Sequence, residues 1–187
     1  MLTPLVAGAG AFALFILFDI VKAQNPARFG GLLFAAGGLL LTGATAALLF
    51  PLDAPITPLR AAGAVWSVLW LFLLGYVLFF ALPANDVYVA DTPLGVCDRG
   101  AYALCRHPGG WCLLFGYLGL WLFSGSARMG VGALFFSALN FAYIALQDRW
   151  LFPCYIAGYA DYRQRVPFLI PNRDSIARCL GKDDSMF

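Results

Sequence analysis

Long uncharged runs alternate along this chain with short polar breaks. Residues 1–18 carry no charge until Asp19, Lys22 and Arg28, and further uncharged runs follow at 29–52, 61–85, 109–127 and 129–147. About 20 apolar residues in a helix cross roughly 30 Å of hydrocarbon, so the pattern predicts five transmembrane helices. The breaks differ in kind. Residues 51–58 hold three prolines and predict a tight turn outside the hydrocarbon. The longest break between spans is 86–106, whereas Arg128 alone separates the last two runs and predicts a tight helical hairpin. After the fifth run, residues 150–160 are apolar but too short to cross, and Pro153 within them predicts a bent segment at the interface. Small residues crowd the second run, Gly37, Gly38 and Gly43 among them, and favour close helix packing. Charges follow the first run instead of preceding it, so it reads as a retained span and not a signal peptide.

Composition agrees with the pattern. The 187 residues are 61% hydrophobic and 12% charged, with a mean hydropathy of +0.79, where soluble domains carry about 25% charged residues. The fold class expected is all-α, a polytopic membrane protein with five transmembrane helices and a cytoplasmic C-terminal segment that covers a cofactor. It forms one integral domain: packing spans in 1–85, a loop, hairpin and covering tail in 86–171, and a polar tail in 172–187. A net charge of +2 with no basic groove excludes nucleic acid as a partner. Five spans would put Lys22, Arg28, Arg99, Arg106, Arg149, Arg163, Arg165, Arg173, Arg178 and Lys182 on one side and only Arg60 and Arg128 on the other. Lys and Arg concentrate in cytoplasmic loops, which predicts an outside N-terminus and a cytoplasmic C-terminus, in a bacterial inner membrane or an endoplasmic reticulum. The five cysteines lack paired close spacing and have one histidine to join them, so no metal site is expected.

Two polar blocks carry the candidate chemistry. Arg106-His107-Pro108 stands where a loop enters the fourth run, and His107 is the only histidine. A proline keeps the residue before it out of helical geometry and suits the first helical turn, so Arg106 and His107 are displayed at a helix N-terminus, where free N–H groups favour an anion. Gln147-Asp148 ends the fifth run. A carboxylate at that boundary is costly unless paired or useful, and the hairpin brings it to the same membrane face as Arg106. Tyr155, Tyr159 and Tyr162 follow, and aromatic faces attract cations such as a sulfonium.

The spacing Gly100-x-Tyr102-x-x-x-Arg106-His107-Pro108, then Asp148-x-x-Leu151-x-x-x-Tyr155-x-x-x-Tyr159-x-x-Tyr162-x-x-x-Val166-Pro167-x-x-Ile170-Pro171, resembles the isoprenylcysteine carboxyl methyltransferase and phospholipid N-methyltransferase superfamily. The resemblance covers residues 100–171. It implies S-adenosylmethionine at the cytoplasmic face, methyl transfer to a lipophilic acceptor held in the bilayer, catalytic roles for Arg106, His107 and Asp148, and cofactor contacts from Tyr102, Trp111, Gln147, Tyr159, Tyr162, Val166, Pro167 and Pro171. Three positions depart from the pattern: Gly110 stands for a tyrosine, Cys112 for a common glycine, and Gln147-Asp148 for a pair of glutamates. Trp111 is expected to fill the missing ring's place, and Arg106→Ala is expected to remove cofactor binding without unfolding the protein.

Two other readings stand beside this one: a non-catalytic membrane subunit that keeps the fold, and an NADPH-dependent reductase of lipophilic double bonds, since sterol reductases look similar in this C-terminal region. Elsewhere the expectations are structural. Asp19 pairs with Lys22 three residues on, Asn140 hydrogen-bonds a neighbouring helix, Asp161 and Arg165 form an exposed pair, and Trp66 and Trp150 mark interfaces. Oligomeric state is not written in the sequence.

Overall fold

The computed structural model describes residues 2–24, 30–52, 55–82 and 94–180. Arg28, Lys182, much of the 86–106 loop and the end of the polar tail lie outside them. The described chain is mostly helical: α1 (Leu2–Gln24), α2 (Gly30–Leu49), α3 (Pro58–Phe79), α4 (Ala101–Leu104), α5 (Pro108–Ser124), α6 (Ala127–Leu146), α7 (Phe152–Tyr155), α8 (Tyr159–Arg165) and α9 (Arg173–Cys179), with a π-helical turn, Gln147–Leu151, between α6 and α7. Two-residue strands β1 (Leu94–Gly95) and β2 (Ile156–Ala157) pair in parallel, a small addition to the all-α expectation. Four helices are long and apolar enough to cross a membrane: α1, α2, α3, and α6 with its continuation to Tyr155. The fourth apolar run forms α5, which at 17 residues is about 26 Å long.

Helix boundaries follow local chemistry. Thr57 caps α3 by accepting from the Arg60 N–H, with Pro58 in the first turn. Gly125, at φ 63°, turns the chain out of α5, and Ser126 caps α6 by accepting from the Met129 N–H. A left-handed residue suits glycine because it has no Cβ to clash. Arg60 and Arg128 both close helix C-termini. Arg60 donates to the carbonyls of Phe123 (2.6 Å) and Ser124 (2.8 Å), and Arg128 to those of Leu48 (3.0 Å) and Pro51 (2.8 Å), satisfying oxygens the helices leave unpaired.

The long helices form an arc. α2 packs on α1, α1 on α6, α6 on α5 and α5 on α3, with α2 also touching α6; no packed interface joins α2 to α3 among the described residues. Small residues set the closest contacts, as sequence suggested. A Cβ on Gly119 of α5 would fall 2.7 Å from the Ser67 backbone nitrogen of α3, and one on Gly37 would fall 2.6 Å from the Phe15 ring. Gly38 and Gly43 instead face open space. Phe12, Phe15, Leu48, Tyr117, Met129 and Phe136 make the core, while α3 turns Val65, Phe72 and Tyr76 outward, an apolar face suited to lipid.

The segment after α6 does not bend at Pro153 as expected. A proline ring clashes with the carbonyl four residues back in an α-helix, here Arg149, and Arg149 lies in the wider π turn, so the helix continues to Tyr155 and breaks at Ile156.

Candidate functional site: a polar chamber on an apolar shaft

The C-terminal segment folds back onto the start of α5. Backbone N–H groups of Arg106 and His107 donate to the carbonyls of Pro167 (2.9 Å) and Phe168 (3.3 Å), so the tail lies beside the Arg-His-Pro corner. Arg106 fastens it. The guanidinium grips Asp148 with two bonds, Nε to Oδ1 at 2.7 Å and Nη2 to Oδ2 at 3.0 Å, while Nη1 donates to the carbonyls of Arg163 (2.8 Å) and Val166 (2.6 Å). Asp148 also accepts from the Tyr159 hydroxyl at 2.8 Å and lies 3.4 Å from His107 Nε2. Thus the meeting of Arg106 and Asp148 expected from the hairpin is found, and Tyr159 and His107 join it.

Four of the five guanidinium N–H groups are spent on these bonds, which corrects the view of Arg106 as an open anion site: it is mainly a clamp, with one N–H to spare. His107 caps α5 with non-helical geometry, φ −128° and ψ 62°, as a residue before proline should. Its ring stacks on Phe152 (5.7 Å) and meets Phe168 edge-on (5.1 Å), and burial holds its pKa below the ordinary imidazole value despite Asp148 beside it. Its Nε2 makes no hydrogen bond. A neutral buried imidazole has a testable consequence. Below about pH 6.5 the unfolded chain takes up a proton that the folded one resists, so stability should fall as pH drops from there and stay level above. The slope of melting temperature against pH between 5 and 8 should flatten in His107→Gln; equal slopes would exclude the assignment.

Consecutive residues of the π turn serve two networks. Asp148 faces the tail, whereas Gln147 reaches α1, donating from Nε2 to Asp19 Oδ2 at 2.9 Å and to the Tyr143 hydroxyl at 2.8 Å. π turns occur often at functional sites because the extra residue redirects side chains. Asp19 also accepts from the hydroxyls of Tyr143 (2.7 Å) and Tyr155 (2.9 Å) and is fully buried. Reading Asp19 as a local pair with Lys22 missed these three bonds, all to residues more than a hundred positions away.

Both networks border one cavity of about 600 Å³. Its polar end is walled by Tyr102, Arg106, His107, Gln147, Tyr159 and Tyr162, joined by Asp19 and Tyr155. From there an apolar shaft runs between α1, α2, α3 and α5, past Phe34, Gly38, Leu74 and Leu113 to the Thr45–Tyr117 hydroxyl pair (2.8 Å). Asn140 lines the shaft as well. Its Nδ2 has no partner, which corrects the expected interhelical bond.

Five residues expected at the cofactor do not line the cavity. Asp148 lies behind Arg106 and Tyr159. Trp111 stacks on Phe115 and donates its indole N–H to the Leu169 carbonyl (2.8 Å), anchoring the tail instead of filling the ring's place. Val166 is buried against Tyr159 and Tyr162, Pro167 acts through its carbonyl, and Pro171 is exposed. Tyr162 donates to the Tyr102 carbonyl at 2.7 Å and Tyr102 to that of Val77 at 3.3 Å, linking tail, loop and α3. Arg165 faces Asp98 at 3.7 Å, not Asp161 as expected.

With this geometry in view, comparison with known proteins adds one limited likeness. No family model and no solved structure matches the chain. A stretch of 73 residues is 40% identical to the cobalt-zinc-cadmium resistance protein CzcN of Cupriavidus metallidurans, covering 38% of this chain and 33% of that protein. The chain therefore matches a third of that relative's length. Among the described residues no group of three or more His, Cys, Asp or Glu side chains is placed to hold a metal ion.

Proposed function

We propose that this chain is an S-adenosylmethionine-dependent methyltransferase acting on a lipophilic acceptor held in the membrane. In this reading α5 is a fifth span, the N-terminus is outside and the tyrosine-walled chamber faces the cytoplasm. The observation that carries the reading is the continuity of one cavity, polar and aromatic at one end and apolar along the rest. A cofactor with charged and ring groups suits the first part, and an acceptor's hydrocarbon suits the second.

The residues fit such a cofactor. Phe152, Tyr155 and Tyr159 offer ring faces to a cation or a base, while the remaining Arg106 N–H offers a polar contact to a carboxylate. Bound there, S-adenosylmethionine would supply an electrophilic methyl group on its sulfonium. The chain's part is to orient and to dry the site: Arg106 and Trp111 hold the tail down, and the tyrosines exclude water, so proximity and a low dielectric supply most of the rate. Burial and the Asp148 carboxylate raise the Tyr159 pKa, so its hydroxyl stays protonated and keeps Asp148 in place.

A second reading, a membrane subunit without catalysis, draws on the Arg106 clamp, since a guanidinium with four of its N–H groups bound inside the protein serves the fold first. Titration calorimetry on the detergent-purified chain separates these readings. Saturable binding of S-adenosylmethionine without binding of NADPH is expected. NADPH binding would favour a reductase, and binding of neither the non-catalytic subunit.

A further inference from the structure

The reading above leaves the acceptor group open between a carboxylate and an amine, and α1 supplies a reason to choose. Asp19 is 1% exposed and lines the cavity. Three neutral donors orient it, Tyr143 and Gln147 on Oδ2 and Tyr155 on Oδ1. An ionised carboxylate offers about four acceptor sites, so one remains, on the oxygen that Tyr155 reaches from the polar end of the cavity. Neutral donors fix a buried carboxylate without cancelling its charge, and such a charge favours a cation and opposes a second anion. A second observation lies on the same face of α6. Asn140 is 9% exposed and its Nδ2 lacks any partner; at seven residues from Gln147 it stands about 10 Å further down the shaft. That buried donor suits an ester or hydroxyl oxygen on a chain already seated there.

We propose that Asp19, held by Tyr143, Gln147 and Tyr155, binds the cationic nitrogen of an amphiphile whose tail fills the shaft past Asn140, so that the acceptor is a lipophilic amine and not a carboxylate. The word acceptor rests on the methyltransferase reading; the binding site does not, because an amine can occupy it without the cofactor.

The test uses the full chain in a neutral detergent, without S-adenosylmethionine, and compares dodecylamine with dodecanoate by calorimetry in the same micelles at pH 7. The wild type should bind the amine at least tenfold more tightly, and Asp19→Asn, checked for an unchanged melting temperature, should lose that preference. Equal or tighter binding of dodecanoate by the wild type overturns the proposal whatever the variant does. An amine preference that survives in a folded Asp19→Asn overturns it too. S-adenosylmethionine is titrated separately into the wild type: failure there, with the amine preference intact, removes the methyltransferase reading and leaves the amine site standing.

Discussion

Arg106→Ala should destabilise the protein by about 3–5 kcal/mol, the usual cost of removing one partner from a buried ion pair, out of a total that for most proteins is only about 5–15 kcal/mol. The loss is structural before it is chemical. Without the guanidinium, Asp148 keeps Tyr159 at 2.8 Å and a half-exposed Arg163 at 3.5 Å, while the carbonyls of Arg163 and Val166 lose their donor. Arg106→Lys should rescue little, because an ammonium cannot reproduce a bidentate grip and two further bonds in one plane. Thermal unfolding should show the drop, and limited proteolysis should show new cleavage between Arg163 and Arg173, where the tail comes loose. If Arg106 and Asp148 act as one unit, the double alanine variant should cost well under the sum of the two singles. A melting temperature and a cleavage pattern unchanged in Arg106→Ala would refute the clamp.

The uncharged runs located the long helices to within six residues at each end because hydrocarbon length and helix rise leave little freedom, and the single-residue break at Arg128 forced the hairpin that brings Arg106 to Asp148. What Arg106 does there was not legible. A motif names residue types at a corner, whereas the carbonyls of Arg163 and Val166 reach the guanidinium only because the tail turns back, a long-range fold with no periodic signature. Asp19 was hidden for a related reason. Lys22 three residues on offered a sufficient local account, and the three donors it meets lie beyond residue 140. The π turn was hidden as well, since a helical repeat puts Gln147 and Asp148 about 100° apart but does not say which network each will join. For Trp111, its place beside the tyrosine missing at Gly110 suggested a ring at the cofactor, yet the indole N–H needed an acceptor and found the Leu169 carbonyl.

Gly38→Trp should leave the fold intact and close the shaft, and this contrast separates the two parts of the cavity. Gly38 lies within α2 and lines the cavity, and a Cβ there would meet nothing within 4 Å. Replacing a mid-helix glycine removes a penalty of roughly 0.5–1 kcal/mol, so the melting temperature should hold or rise. The indole would occupy space that an acceptor's chain otherwise takes. Burying one large apolar group contributes about 1.5–3 kcal/mol, so a long-chain ligand should bind about 10- to 100-fold more weakly, whereas a short-chain ligand with the same head group should bind as before. S-adenosylmethionine, placed by the proposed reading among the tyrosines at the polar end, should keep its affinity. If instead the long-chain ligand binds Gly38→Trp as well as it binds the wild type, the shaft is not where the chain goes. If the cofactor is lost with it, the two ligands share one space and the division of the cavity into chamber and shaft fails.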